Sequence, residues 1–138
     1  MTRSAADLLH EARARERAVG LTAGAGYEAA IEAAERAGDR AVLAEALRRL
    51  AVVRHRCNQS VEARRLCERS LTVARETSND ILAAEALNTL GGIDLEAGPL
   101  ADARRHFLRA VQLGGASREL RARAEQNLGI LASIQGDC

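Results

Sequence analysis

Apolar residues stand three and four apart along most of the chain, as in Leu43, Leu47, Leu50 and Val53, or Leu87, Leu90, Ile93 and Ala97. That spacing puts them on one stripe of an α-helix, leaving the rest of its circumference polar. The stripes are interrupted at Gly38-Asp39, Ser78-Asn79-Asp80, Gly98-Pro99 and Ser117. Asp39, Asn79 and Ser117 can accept hydrogen bonds from the unpaired amides of a helix start, and Pro99 sits where a first-turn residue needs no donor. The pattern predicts helices near residues 3–17, 20–37, 40–57, 60–77, 80–97, 100–114 and 117–135.

The stripes repeat. Ala23, Tyr27, Ala30, Ile31 and Ala34 return forty residues later as Ala63, Cys67, Ser70, Leu71 and Ala74, and again as Ala103, Phe107, Ala110, Val111 and Gly114. Glu45, Ala46, Leu47, Leu50 and Ala51 return at the same spacing as Glu85, Ala86, Leu87, Leu90 and Gly91, and a third copy slips by two residues to Leu128 and Gly129. Each unit therefore contains two helices, here A and B. A lone pair cannot cover its own stripes, so neighbouring pairs must stack, with small residues such as Ala51, Gly91 and Gly129 allowing close approach. The expected organisation is a single domain over 1–138: a helix pair over 1–38, repeats over 39–78 and 79–116, and a half repeat over 117–138.

Composition narrows the chemistry. The chain has 138 residues, 47% of them hydrophobic, with one tyrosine and one phenylalanine as its only aromatics, so the core must be Ala, Leu, Val and Ile. Every one of its 20 basic residues is arginine, and 19 acids offset them to a net charge of +1. No large field exists to attract nucleic acid or anionic lipid, and the stacking platforms of single-strand binders are missing, so no nucleic-acid partner is expected. No apolar run approaches the roughly 20 residues of a membrane span, and no membrane association is expected. Met1 to Glu11 lack the apolar stretch of a signal peptide, and three cysteines without metal-type spacing suit a reduced, cytoplasmic protein.

Ala86-Leu87-Asn88-Thr89-Leu90-Gly91, followed by Gly98 and then by Ala103, Phe107 and Ala110, resembles the tetratricopeptide repeat family in a form with repeats of about forty residues. The first helix departs from that pattern, with Asp7, His10 and Glu11 where apolar and small residues are expected, and reads as an atypical cap. The resemblance implies an all-α, right-handed superhelical stack of antiparallel helix pairs. It also implies a protein-interaction module without catalysis, belonging to a larger signalling or regulatory protein and binding a peptide or partner helix along the concave face of the A helices. Carried over by position, that groove presents Glu45, Arg48, Arg49, Val52, His55 and Arg56, then Glu85, Asn88, Thr89, Gly92, Leu95 and Glu96, then Arg123, Gln126, Asn127, Ile130, Ser133 and Ile134. Asn88, Gln126 and Asn127 can both donate and accept, whereas Arg48, Arg49 and Arg56 suit a carboxylate, so the expected partner is an acidic or C-terminal segment. The alternative is that these are ordinary solvated residues.

The remaining candidates are weaker. Counting from the period, the last helix is an A helix without its B partner, so the stripe of Leu120, Ala124, Leu128, Leu131 and Ile134 is expected to be partly uncovered and to support a homodimer as a structural self-assembly unit. His10, His55 and His106 are scattered, with solvent-facing or capping roles, and neither metal nor cofactor is expected. Cys57 and Cys67 are expected to be buried as small hydrophobes. Gly20 to Gly26 lack the strand and the Lys-Ser/Thr of a phosphate loop, and are expected to let the second helix pack closely on the first. Carboxylates beside arginines at helical spacing read as solvated ion pairs, and no catalytic constellation is present.

Overall fold

The computed structural model describes residues 3–19, 24–115 and 117–136, and within them the chain is a run of seven α-helices without a strand. They are α1 (Ala5–Val19), α2 (Gly24–Ala37), α3 (Arg40–Arg56), α4 (Ser60–Glu76), α5 (Asp80–Ala97), α6 (Leu100–Leu113) and α7 (Arg118–Ile134). The boundaries follow the predicted ones closely; the expected start of α2 falls among Gly20 to Ala23, which with Cys138 lie outside the described residues.

Side chains set the helix starts. The amide of Val42 donates to Asp39 Oδ1 at 3.2 Å, that of Leu82 to Asn79 Oδ1 at 3.1 Å and that of Leu120 to Ser117 Oγ at 3.3 Å. Ser4 caps α1 in the same way, accepting from Asp7 at 3.1 Å. Each bond satisfies an amide that the helix itself leaves without a partner. At the other ends, Gly38, Asn58 and Ser78 stand twenty residues apart with φ of 69°, 62° and 55°, the left-handed conformation that turns the chain out of a finished helix.

Each helix packs on its neighbour in sequence. In addition, α1 packs on α3, α3 on α5 and α5 on α7, whereas the α-carbons of α2, α4 and α6 stay more than 8 Å apart. The odd-numbered helices are thus an inner layer, closely set, and the even-numbered helices an outer layer linked by long side chains such as Arg69 and Glu35, 2.8 Å apart. This is the all-α solenoid the repeat predicts. α1 belongs to it despite its polar sequence: Ala5, Leu9 and Ala12 are buried, while Asp7, His10 and Glu11 face solvent.

The forty-residue period records a repeated fit between the layers. Tyr27, Cys67 and Phe107 are all fully buried between the layers. The Tyr27 hydroxyl donates to the Glu16 carboxylate, and Cys67 shares a buried cluster with Ala51. Phe107 lies so close over Gly91 that a methyl group there would overlap its ring. The Phe107 ring therefore faces the smallest residue, while the smaller thiol shares its cluster with alanine. Gly26 shows the close approach expected of its segment, since a methyl group there would come within 3.0 Å of Ala12 Cβ.

A second device ties the layers together. Arg54 on α3 pairs with Glu28 of α2 and, at 3.5 Å, with Glu62 of α4. Forty residues on, Asp94 on α5 pairs with Arg64 of α4 and, at 2.8 Å, with His106 Nδ1 of α6. The position is the same and the sign is inverted, so one repeat cannot take the other's neighbours without facing like charges. Among the described residues, most of the carboxylates that form ion pairs thus do so between helices, where solvated pairs within a helix were expected.

Two expected outcomes test this packing. Gly91→Val should lower stability by about 2 kcal/mol through overpacking against Phe107, and adding Phe107→Leu should recover part of the loss in urea unfolding. Burial pushes the Cys67 thiol up to about 12, and burial together with the Glu16 carboxylate pushes the Tyr27 hydroxyl up to about 12. Both groups stay protonated in the fold where the unfolded chain would release the proton. Stability should therefore hold up to about pH 9 and fall progressively toward pH 12, at up to about 1.4 kcal/mol per pH unit for each group. A chain carrying Cys67→Ala and Tyr27→Phe should show a shallower alkaline fall in its urea midpoint.

Candidate functional site

The caps Asp39, Asn79 and Ser117 align the inner helices at offsets of forty and then thirty-eight residues, so the two-residue slip of the last copy is built into the structure. On this alignment the inner face is ruled into rows running across the helices. Glu45, Glu85 and Arg123 form one; Arg48, Asn88 and Gln126 a second; Arg49, Thr89 and Asn127 a third; Val52, Gly92 and Ile130 a fourth. The positions singled out from sequence all fall on this layer. Glu45, Arg48, Arg49, Val52, His55, Glu85, Asn88, Thr89 and Asn127 are half-buried there, and Arg56, Glu96, Arg123, Gln126 and Ile130 are exposed.

The charges on this face are already matched to each other. Glu45 lies 3.5 Å from Arg13 of α1 and 2.9 Å from Arg49, while Glu85 lies 3.9 Å from Arg48 and 2.8 Å from Arg123. Arg56 reaches Glu16 at 3.5 Å, and Asn127 donates to Asn88 Oδ1 at 3.0 Å. A ladder of ion pairs and one amide bond thus spans α1, α3, α5 and α7. Burial lowers the pKa of Arg48, and the Glu85 carboxylate opposes that shift. Arg48, Arg49 and Arg56 therefore hold the chain's own carboxylates, and an acidic ligand would have to displace them.

Beside the ladder lies a cleft of about 350 Å³ between the C-terminal halves of α3 and α5, lined by Val52, His55, Thr89, Gly92, Ile93 and Glu96 among others. His55 sits at its edge, with Nδ1 3.2 Å from Ser60 Oγ and Nε2 2.9 Å from Glu96 Oε2. Nothing lies within 4 Å of the point where a Gly92 Cβ would project.

Three expectations need correction. The stripe on α7 is less uncovered than expected: Leu120, Ala124 and Leu131 are buried inside the chain, Ala124 with Leu87 and Ala110, and Leu131 with Ala103 and Phe107, while Leu128 packs partly against the same cluster. Of the five, Ile134 alone is exposed, at 54%. At the positions where α5 buries Ala83 and Leu87, α7 carries Arg121 and Glu125, which pair with each other at 3.2 Å, so its outer side is polar. Cys57 is exposed at the end of α3, and Cys67 alone of the two is buried. His55 and His106 lie against the carboxylates of Glu96 and Asp94 with side chains less than one-fifth exposed, and of the three histidines only His10 faces solvent.

Sequence reasoning passed over Asp94 altogether, although it is the one fully buried carboxylate among the described residues. Its signal was an acid inside the apolar run Gly91-Gly92-Ile93-Asp94-Leu95, forty residues after Arg54. Among the described residues no group of His, Cys, Asp and Glu could hold a metal ion, and no helix is long and apolar enough to cross a membrane.

The sequence model of the tetratricopeptide repeat matches residues 42–114, more than half of the chain, running from within α3 to just past α6. No curated protein matches the chain.

Proposed function

The chain belongs to the tetratricopeptide repeat family, generally protein-interaction modules, and we propose on that premise that its inner layer is the working surface, holding one segment of a partner protein across α3, α5 and α7. The observation that carries this reading is the repetition of half-exposed rows at one place on three adjacent helices, above all Val52, Gly92 and Ile130 beside Arg49, Thr89 and Asn127. Helices set 8 to 10 Å apart give a face about 20 Å across, which matches about six residues of extended chain. The ion-pair ladder keeps that face ordered before a partner arrives, which reduces the ordering cost of binding.

Self-association remains a second reading because Ile130 and Ile134 are 44% and 54% exposed side by side on α7. A dimer would use these two, with the buried members of the stripe committed to the core.

The test is selection of peptides from a random display library, followed by affinity measurement on variants. Thr89→Arg and Ile130→Asp, both on the inner layer, should each weaken the selected peptides about ten-fold or more, whereas Val61→Asp on the outer layer should leave them unchanged. Loss with Val61→Asp alone would move the working surface to the outer helices.

A further inference from the structure

Val52, Gly92 and Ile130 occupy one position in three successive inner helices, and the middle one has no side chain. The row is therefore notched one side chain wide, and the notch opens into the cleft of about 350 Å³ whose floor is the buried Ile93. That volume lies at the low end of small-ligand pockets, roughly 300 to 1,000 Å³. Gly91, next to it, has a packing reason to be glycine, since Phe107 lies against it. Gly92 has none: the space beside it is open, and within a helix it costs about 1 kcal/mol relative to alanine.

The surrounding charges narrow what can enter. Arg48 and Arg123 face Glu85, Arg49 faces Glu45, Arg56 faces Glu16 and His55 faces Glu96. With these pairs closed, the uncommitted surface in the cleft is Val52, Gly92, Ile93 and the uncharged side chains of Thr89 and Asn58. We propose that this cleft is a socket for one bulky uncharged side chain of the partner segment, best filled by an aromatic ring, and that the partner is selected by that anchor rather than by acidic residues. The proposal rests on the inner layer being the working surface. A second copy of this chain cannot supply the ring, because Tyr27 and Phe107 are both fully buried; among the described residues the exposed large apolar ones are Val61, Leu108, Ile130 and Ile134, all aliphatic.

The test uses three uncharged-backbone probes, the N-acetyl amides of tryptophan, leucine and aspartate, titrated into the ¹⁵N-labelled full chain while amide shifts are followed. The tryptophan probe should move the amides of Val52, Thr89 and Gly92, the leucine probe should do so more weakly, and the aspartate probe should leave them in place. Gly92→Leu fills the notch with a good helix former, so it should fold at least as stably as the parent in thermal unfolding and bind the tryptophan probe about ten-fold more weakly or worse. Gly92→Ala should fall between the two. Tryptophan shifts that are absent, that lie elsewhere, or that persist unchanged in Gly92→Leu would overturn the socket, as would equal response to aspartate.

Two further results separate this inference from the reading it rests on. Display-selected peptides that lose affinity with Thr89→Arg but not with Gly92→Leu would overturn the socket and leave the inner layer as the working surface. Concentration-dependent self-association in light scattering that Gly92→Leu abolishes would assign the cleft to an aliphatic side chain of a second copy, and would overturn the aromatic anchor.

Discussion

Everything in this molecule depends on how closely the outer helices can approach the inner ones, and that distance is set by paired sizes. Phe107 fits because residue 91 is glycine, Cys67 fits against Ala51, and Tyr27 fits because Glu16 takes its hydroxyl. A core made almost entirely of Ala, Leu, Val and Ile has few large surfaces to bury, so it gains cohesion from short helix separations rather than from ring area. The same separations bring the inner helices side by side, and it is this second effect that creates a continuous face with its rows in line.

Charge then does what size cannot. Alanine stripes are alike from one helix to the next and would tolerate a shifted stacking order. Arg54 between Glu28 and Glu62, and Asp94 between Arg64 and His106, make neighbouring repeats distinguishable by sign. The ladder through Glu45 and Glu85, which carry the same sign at the same position, links the inner helices to one another without adding to that distinction. Such pairs contribute little net stability where solvent reaches them, and more to specificity where it does not. The functional consequence is an inner face whose charges are largely paired with one another before binding, with the apolar row lying open beside them.

The fold was legible from sequence because each of its determinants is local or periodic. Caps at Asp39, Asn79 and Ser117 act over three residues, the stripes over four, and the Tyr27, Cys67 and Phe107 slot recurs at a constant interval. Positions on the inner face were legible for the same reason, since a repeat fixes which side of a helix looks inward. What could not be read was which charge meets which. Arg48 and Glu85, or Asp94 and His106, are brought together by packing between helices, and no spacing along the chain reports it. That is why the arginines looked available to a ligand and why the histidines looked solvated. The α7 stripe was misjudged because its covering came from α5 and α6 behind it, while the missing partner was sought in front.

The central claim is that size-matched slots and alternating charges lock α3 to α6 into one cooperative body that presents a preformed inner face. Native-state hydrogen exchange across low urea concentrations tests it most directly. The account predicts that the buried amides of α3, α4, α5 and α6 converge on a single opening free energy and a single urea dependence. If the α3 and α4 pair opened well apart from the α5 and α6 pair, by about 2 kcal/mol or more, the repeats would be separable units, and the interlock proposed here would be contradicted.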